Sequence, residues 1–245
     1  MIVAILPAGL RRVAALAHLP DDRAGVVDGP DLGPWLKRRK DAKMLPRAAQ
    51  LALPAAGAAL GDWPGDREAL GLYVAVGREP PDEGEAEAAL AQMHRGGRLA
   101  RDLIAAGRAA YPPLLPLRTL PNMVLAHVAI NLGIRGENAV YAGGADAGLC
   151  AWWEGVRAIR EGRVPAALVG AAYSAVDLAS ARDRLRLGLV GPPGEGAIFA
   201  LLLPGSPDPW AVPRGLVGPE TGDLGPVGGL LALLAPQADR LPADG

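Results

Sequence analysis

Asn138-Ala139-Val140-Tyr141-Ala142, followed by Gly143-Gly144-Ala145-Asp146-Ala147-Gly148, is the stretch that decides the fold. The first five residues suit a short strand, because valine and tyrosine pack well on a pleated surface. Two glycines then permit a tight turn. An amphipathic pattern from Ala147 to Glu161 predicts a helix ended by Gly162, and Ala166–Ala172 (AALVGAA) reads as a buried strand. Strand, small-residue turn, helix and strand in succession define an α/β unit. Such a turn lifts one side chain out of the sheet toward the N–H groups at a helix start, a favourable place for a nucleophile. The residue there is Ala145, so the frame is present and the reactive atom is not.

Upstream, Pro121 opens an apolar helix, PNMVLAHVAINLG, closed by Gly133, and proline suits a first helical position. Three prolines in Tyr111–Leu120 exclude a regular helix before it. Residues 2–6 (IVAIL) read as a first strand, and 18–34, rich in Asp, Gly and Pro, as loop. A helical pattern runs from about Asp41 to Leu60, with Leu45, Ala48, Ala49, Ala52 and Ala56 on one face and Pro54 expected to kink or divide it. Leu72–Val76 is a strand stopped by Gly77, and an acidic loop at 79–85 leads to an amphipathic helix over about 90–104.

Downstream, two strands flank Gly191–Gly196, the later being AIFALLL, and a last helix covers Val227–Leu234. No repeat or clean linker interrupts the pattern. Residues 1–235 are therefore expected to form one domain, and 236–245 a disordered tail.

The bulk composition is consistent with this plan. Half of the 245 residues are apolar, but only five Trp, four Tyr and one Phe occur, so the core is built from Ala, Leu and Val. A net charge of −1 with mixed signs argues against a broad nucleic-acid footprint. Cys150 is the single cysteine, which excludes an internal disulfide and a multi-cysteine zinc site. His18, His94 and His127 lie far apart and form no metal-spaced pair, so no metal or other cofactor is expected. The apolar N-terminus lacks the preceding basic residue of a signal peptide, and no run reaches the roughly 20 apolar residues of a membrane span. A soluble cytoplasmic protein is the expectation.

The ordered segments resemble the β-ketoacyl synthases, the condensing enzymes of fatty-acid and polyketide assembly. LPNMVLAHVAINLGIRGENAV (120–140) is similar to their helix and dimer-interface strand before the nucleophile. EGVRAIREGRVPAALVGAA (154–172) is similar to the helix and strand after it, and GEGAIFALLL (194–203) to their glycine-rich turn into a strand. LPRAAQLALPAAGAALGD (45–62) resembles an early helix, and TGDLGPVGGLLALLA (221–235) the late segment that carries a histidine. The resemblance implies an α/β, thiolase-like fold in shortened form, with a mixed sheet and flanking helices.

The departures from the family are at its reactive positions. The family's cysteine falls on Ala145 and its late histidine on Asp223, while the region of the other histidine has no counterpart between Leu203 and Gly222. The resemblance then implies a chain-length-factor-like subunit of the aryl polyene type. It would have no catalysis of its own and would pair with an active β-ketoacyl synthase subunit that receives the acyl carrier protein. Leu114, Leu115, Leu117, Thr119, Leu120, Asn122 and Met123 would approach the partner's acyl tunnel, and Val140 and Tyr141 the subunit interface. Two alternatives stand beside this one: a self-associating module that binds acyl groups or carrier protein, and a stand-alone acyltransferase using Cys150 or Asp146.

Each singled-out residue also has a plainer reading. Cys150, inside a helix, suits a buried small hydrophobe; His127 a packed or capping histidine; Asp146 and Asp223 helix caps. The run Lys37-Arg38-Arg39-Lys40 suits a solvated face better than a carrier-protein dock. Trp152 and Trp153 point about 100° apart on a helix, so one suits a subunit interface unless a large core or an edge holds both.

Overall fold

Alternation of side chains along three strands sets the layers of this molecule. In β3 (Gly71–Val76), Leu72, Val74 and Val76 enter one core, while Tyr73 and Ala75 enter another on the opposite face. β5 (Ala167–Ser174) and β6 (Glu195–Leu202) divide in the same way, with Leu168 and Phe199 on the first face and Val169 and Ile198 on the second. All three strands are buried along nearly their whole length, as expected of a sheet covered on both sides. A computed structural model describes residues 2–4, 10–17, 27, 29–77, 91, 118–177, 180, 186, 194–205 and 225–238.

Among the described residues the sheet has six strands in the order β1-β2-β6-β5-β3-β4, where β1 is Ile2–Ala4, β2 is Leu10–Ala17 and β4 is Asn138–Ala142. β3 pairs in parallel with both β4 and β5, whereas β5–β6, β6–β2 and β2–β1 are antiparallel. The sheet is therefore mixed. On one face lie α1 (Arg47–Leu60) and α2 (Asn122–Leu132); on the other lie α3 (Ala145–Arg160) and α4 (Pro226–Ala238).

Several sequence expectations are met. The expected face of α1, including Ala48, Ala49, Ala52 and Ala56, is buried. α2 follows Pro121 and ends at Gly133, whose φ of 74° is the left-handed conformation favoured by a glycine cap.

Other expectations need correction. Pro54 does not divide α1, which is continuous from Arg47 to Leu60 and buried at all but Arg47, Gln50 and Ala58. Packing on every side holds the helix despite the amide hydrogen that proline lacks. The expected start at Asp41 is instead a 3₁₀ helix, Arg39–Met44, with Leu45 and Pro46 between it and α1. β2 went unread because LRRVAALA has no clean alternation; its place comes from pairing with β6. α4 runs past Pro236 to Ala238, and residues 239–245 of the expected tail lie outside the described residues. The helix expected over about 90–104 and the strand before Gly191 fall almost wholly outside the described residues.

Candidate functional site

The C-terminal ends of the three parallel strands form one rim, the usual location of binding sites in open α/β sheets. Val76 aligns with Ala142 on one side and Ala172 on the other, so Gly77, Gly143 and Tyr173 lie at this end. Gly143 donates its N–H to the Val76 carbonyl at 3.0 Å and Ala147 donates to Gly144 at 3.0 Å, which closes the turn from β4 into α3. Helix α3 starts two residues earlier than the sequence pattern suggests. Ala145 is its first residue, half-buried, with Gly144 as the cap. Asp146 is therefore an exposed first-turn residue and not the N-cap.

Two glycines bring α4 onto this turn. A Cβ at Gly229 would lie 2.1 Å from the Ala145 carbonyl oxygen, and one at Gly148 would lie 2.3 Å from that of Pro226. The two helices thus meet backbone to backbone at the position where a nucleophile is expected. Beside them the Tyr173 ring lies against Gly77 and Gly225, each of which is too close to it for a larger residue without movement. Sequence reasoning passed over Tyr173; the small residues at 77 and 225 are its only trace in the chain.

The outer side of β4 has no strand beside it among the described residues. Leu72 donates to the Glu137 carbonyl and Gly143 to the Val76 carbonyl, so odd-numbered residues bond to β3. The parallel pattern then leaves the backbone groups of Asn138, Val140 and Ala142 directed outward. Val140 and Tyr141 are half-buried, Val140 packing toward the α1–α2 face and Tyr141 toward α3. Burial, with Glu154 and Cys150 nearby, raises the Tyr141 phenol above its ordinary range and keeps it neutral.

Charged groups fix the near end of β4. Arg163 pairs with Glu137, Glu154 and Glu161, and Tyr73 donates its hydroxyl to Glu137 at 3.0 Å. Burial pushes the Tyr73 hydroxyl up to about 12, so it acts as a donor over the whole physiological range.

The remaining expected residues separate. Thr119 and Met123 are half-buried, and Leu120 and Asn122 are exposed at the start of α2. Leu114, Leu115, Leu117 and Asp223 lie outside the described residues. Cys150 is exposed, against the expectation of burial, because it sits on the side of α3 opposite the core that holds Ala147 and Ala151. Trp152 is buried, whereas Trp153 is 37% exposed and carries the Arg157 guanidinium 5.3 Å from its ring centre. Lys37, Arg38, Arg39 and Lys40 are all exposed. No group of three or more candidate metal ligands occurs among the described residues, and no described helix is long and apolar enough to cross a membrane.

At the other end of this rim, Glu195 opens β6 fully buried, where Ser174 donates to it at 2.8 Å and Arg47 donates through Nε at 3.0 Å. This cluster was not legible in the chain, since its members are far apart in sequence.

Mixed sheet, two helical layers and a strand-to-helix turn at the rim make the fold thiolase-like. Residues 34–200 match the family model "Beta-ketoacyl synthase, N-terminal domain", and the chain belongs to that family. No curated protein matches the sequence. The structure of a type II PKS acyl-carrier protein in complex with its ketosynthase bound to the hexaketide superposes with a TM-score of 0.63 at 13% identity, over 83% of this chain and 62% of that one. A β-ketoacyl synthase from Burkholderia phymatum STM815 gives 0.57 at 14% identity, over 82% and 59%. The ishigamide ketosynthase/chain length factor gives 0.50 at 19% identity, over 84% and 63%. This chain therefore spans about three-fifths of the length of these structures.

Proposed function

We propose that this protein is a non-catalytic, chain-length-factor-like partner of an active β-ketoacyl synthase, of the aryl polyene type. One observation supports the reading: α3 begins at Ala145, directly after the Gly143-Gly144 turn from β4, and if this is the family's nucleophile position, as the resemblance implies, its methyl group cannot accept an acyl chain. The outward backbone groups of Asn138, Val140 and Ala142 support pairing, because an open strand edge is a template for a second chain. The role would be steric. Leu120 and Met123, at the start of α2, would line the partner's acyl tunnel, and side-chain bulk there would limit product length.

Co-expression with the cognate synthase, followed by native mass measurement, tests the pairing; a 1:1 complex is expected, and no complex overturns it. Met123→Ala together with Leu120→Ala is expected to lengthen the product of that complex. Unchanged product length would remove the tunnel role and leave the pairing standing. The open edge also suits a second copy of this chain, and a homodimer that persists beside the synthase would favour the self-associating module. The exposed thiol of Cys150 keeps the stand-alone acyltransferase testable: acyl transfer by the isolated chain, abolished by Cys150→Ala, would establish it.

A further inference from the structure

The cationic turn at residues 37–44 is fastened to α2 by two side chains one helical turn apart. Asn131 Oδ1 accepts the Lys37 N–H at 3.0 Å, and Asn131 Nδ2 donates to the His127 carbonyl at 2.9 Å. His127 hydrogen-bonds the backbone of Met44 at the other end of the turn. Asn131 thus holds where the turn begins and His127 where it ends. Between these points Lys37, Arg38, Arg39, Lys40 and Lys43 are exposed, and Arg38 is paired with Asp41.

His127 is 8% exposed, and its Nε2 is buried with no hydrogen-bond partner among the described residues. A neutral imidazole tolerates an idle Nε2 acceptor; an imidazolium has a second N–H there that needs an acceptor. The surroundings provide little compensation. From the turn come five cations and the single carboxylate of Asp41, which favours the charged ring. α2 carries no other charged residue, and β3 and β4 carry none. The only charge on α1 is Arg47, already bound to Glu195. Beyond the ends of α2 lie Arg118, Arg135 (paired with Glu68) and Arg67, which donates to the Leu132 carbonyl.

We infer that His127 and Asn131 form a pH-sensitive clasp, which holds the cationic turn 37–44 on α2 while His127 is neutral and releases it when the ring is protonated. Release lets Nε2 reach water. Burial, the largest influence, pulls the His127 ring below the ordinary 6.5, and the Met44 bond and Asp41 offset it only in part. The sign follows from linkage. The opened turn binds a proton more readily than the closed one, so closure is complete above the ordinary histidine range and is lost as pH falls through it.

Amide hydrogen exchange on the full chain, corrected for intrinsic rates, tests the clasp at about pH 7.5 and about pH 5.5. Protection of peptides covering 37–45 is expected to fall by up to about tenfold for each unit by which the folded-state value lies under 6.5, with β3 and β5 unchanged. His127→Gln, which keeps a donor but cannot titrate, is expected to abolish the pH dependence. Equal loss in that variant, or none in the wild type, overturns the proposal. Should His127→Gln fail to fold, an NMR titration of the wild-type ring decides: a midpoint under 6.5 supports the clasp, and one at or above it overturns it.

Discussion

Arg47, the first residue of α1, donates two guanidinium hydrogen bonds to Glu195, the first residue of β6, and a third to the Val27 carbonyl. Val27 returns an N–H to Glu195 Oε1 at 2.9 Å, and Ser174 supplies a hydroxyl to Oε2. One buried carboxylate therefore joins α1, the ends of β5 and β6, and the segment at Val27.

Removing either partner exposes the weakness of a buried charge. Arg47→Leu leaves the buried Glu195 carboxylate without its countercharge and is expected to lower stability by about 3–5 kcal/mol, against about 1–2 for Ser174→Ala. Urea denaturation of the two variants checks the order.

The same pair sets an acid limit. Burial alone would raise the Glu195 carboxyl, but the hydrogen bonds from Arg47, Ser174 and Val27 outweigh it, together with the Arg47 charge, and hold it below its ordinary 4.5. Its stabilising contribution is present above the unfolded-state value and is lost as pH falls through the folded-state one. Melting temperatures of the wild type are expected to drop more steeply below about pH 4.5 than those of Glu195→Gln.

The contact of α3 with α4 requires hydrogen at two α-carbons. Gly229→Ala drives a methyl group into the Ala145 carbonyl, and Gly148→Ala does the same to Pro226. Backbone cannot rotate away as a side chain can, so each is expected to cost about 1–3 kcal/mol or more. The double variant should cost less than the sum, because the first shift opens space for the second. Thermal denaturation of the three proteins tests this.

Val140→Pro removes an N–H that points away from β3, and proline is tolerated on an edge strand. The isolated chain is expected to keep its melting temperature within a few degrees, while association through this edge weakens by roughly tenfold or more, the equivalent of about one hydrogen bond to strand backbone. Sedimentation or native mass measurement reads the second effect.

Ala145→Cys, made with Cys150→Ala, places a thiol at the first residue of a helix, where the free N–H groups favour a thiolate. The alkylation rate is expected to titrate roughly one unit under the ordinary value of about 8.5. A midpoint at or above that value would show that the turn no longer presents its side chain to the helix end.

The α/β unit from Asn138 to Ser174 was legible because glycine, proline and period-two or helical spacing act over a few residues. Gly133 ends α2 as read, and Val140 stands at the midpoint of its strand. β2 was illegible because LRRVAALA becomes a strand only through its hydrogen bonds to β6. Cys150 was misread because helical spacing tells which residues share a face, not which face meets the core. Tyr173, Gly77 and Gly225 converge from three separate segments, and no short-range pattern records such a meeting.

By itself the sequence determined the kinds of element, the turn at Gly143-Gly144, and the methyl group that Ala145 carries after it. These depend on local torsion preferences and on atoms that are either in the chain or not. Only the tertiary structure decided that α4 meets α3 at Ala145, that no described strand pairs with the outer edge of β4, that Arg47 neutralises Glu195, and that Asn131 and His127 hold one turn at both its ends. Each of these joins groups far apart in the chain, and each depends on burial and hydrogen bonding that exist only once the layers have packed.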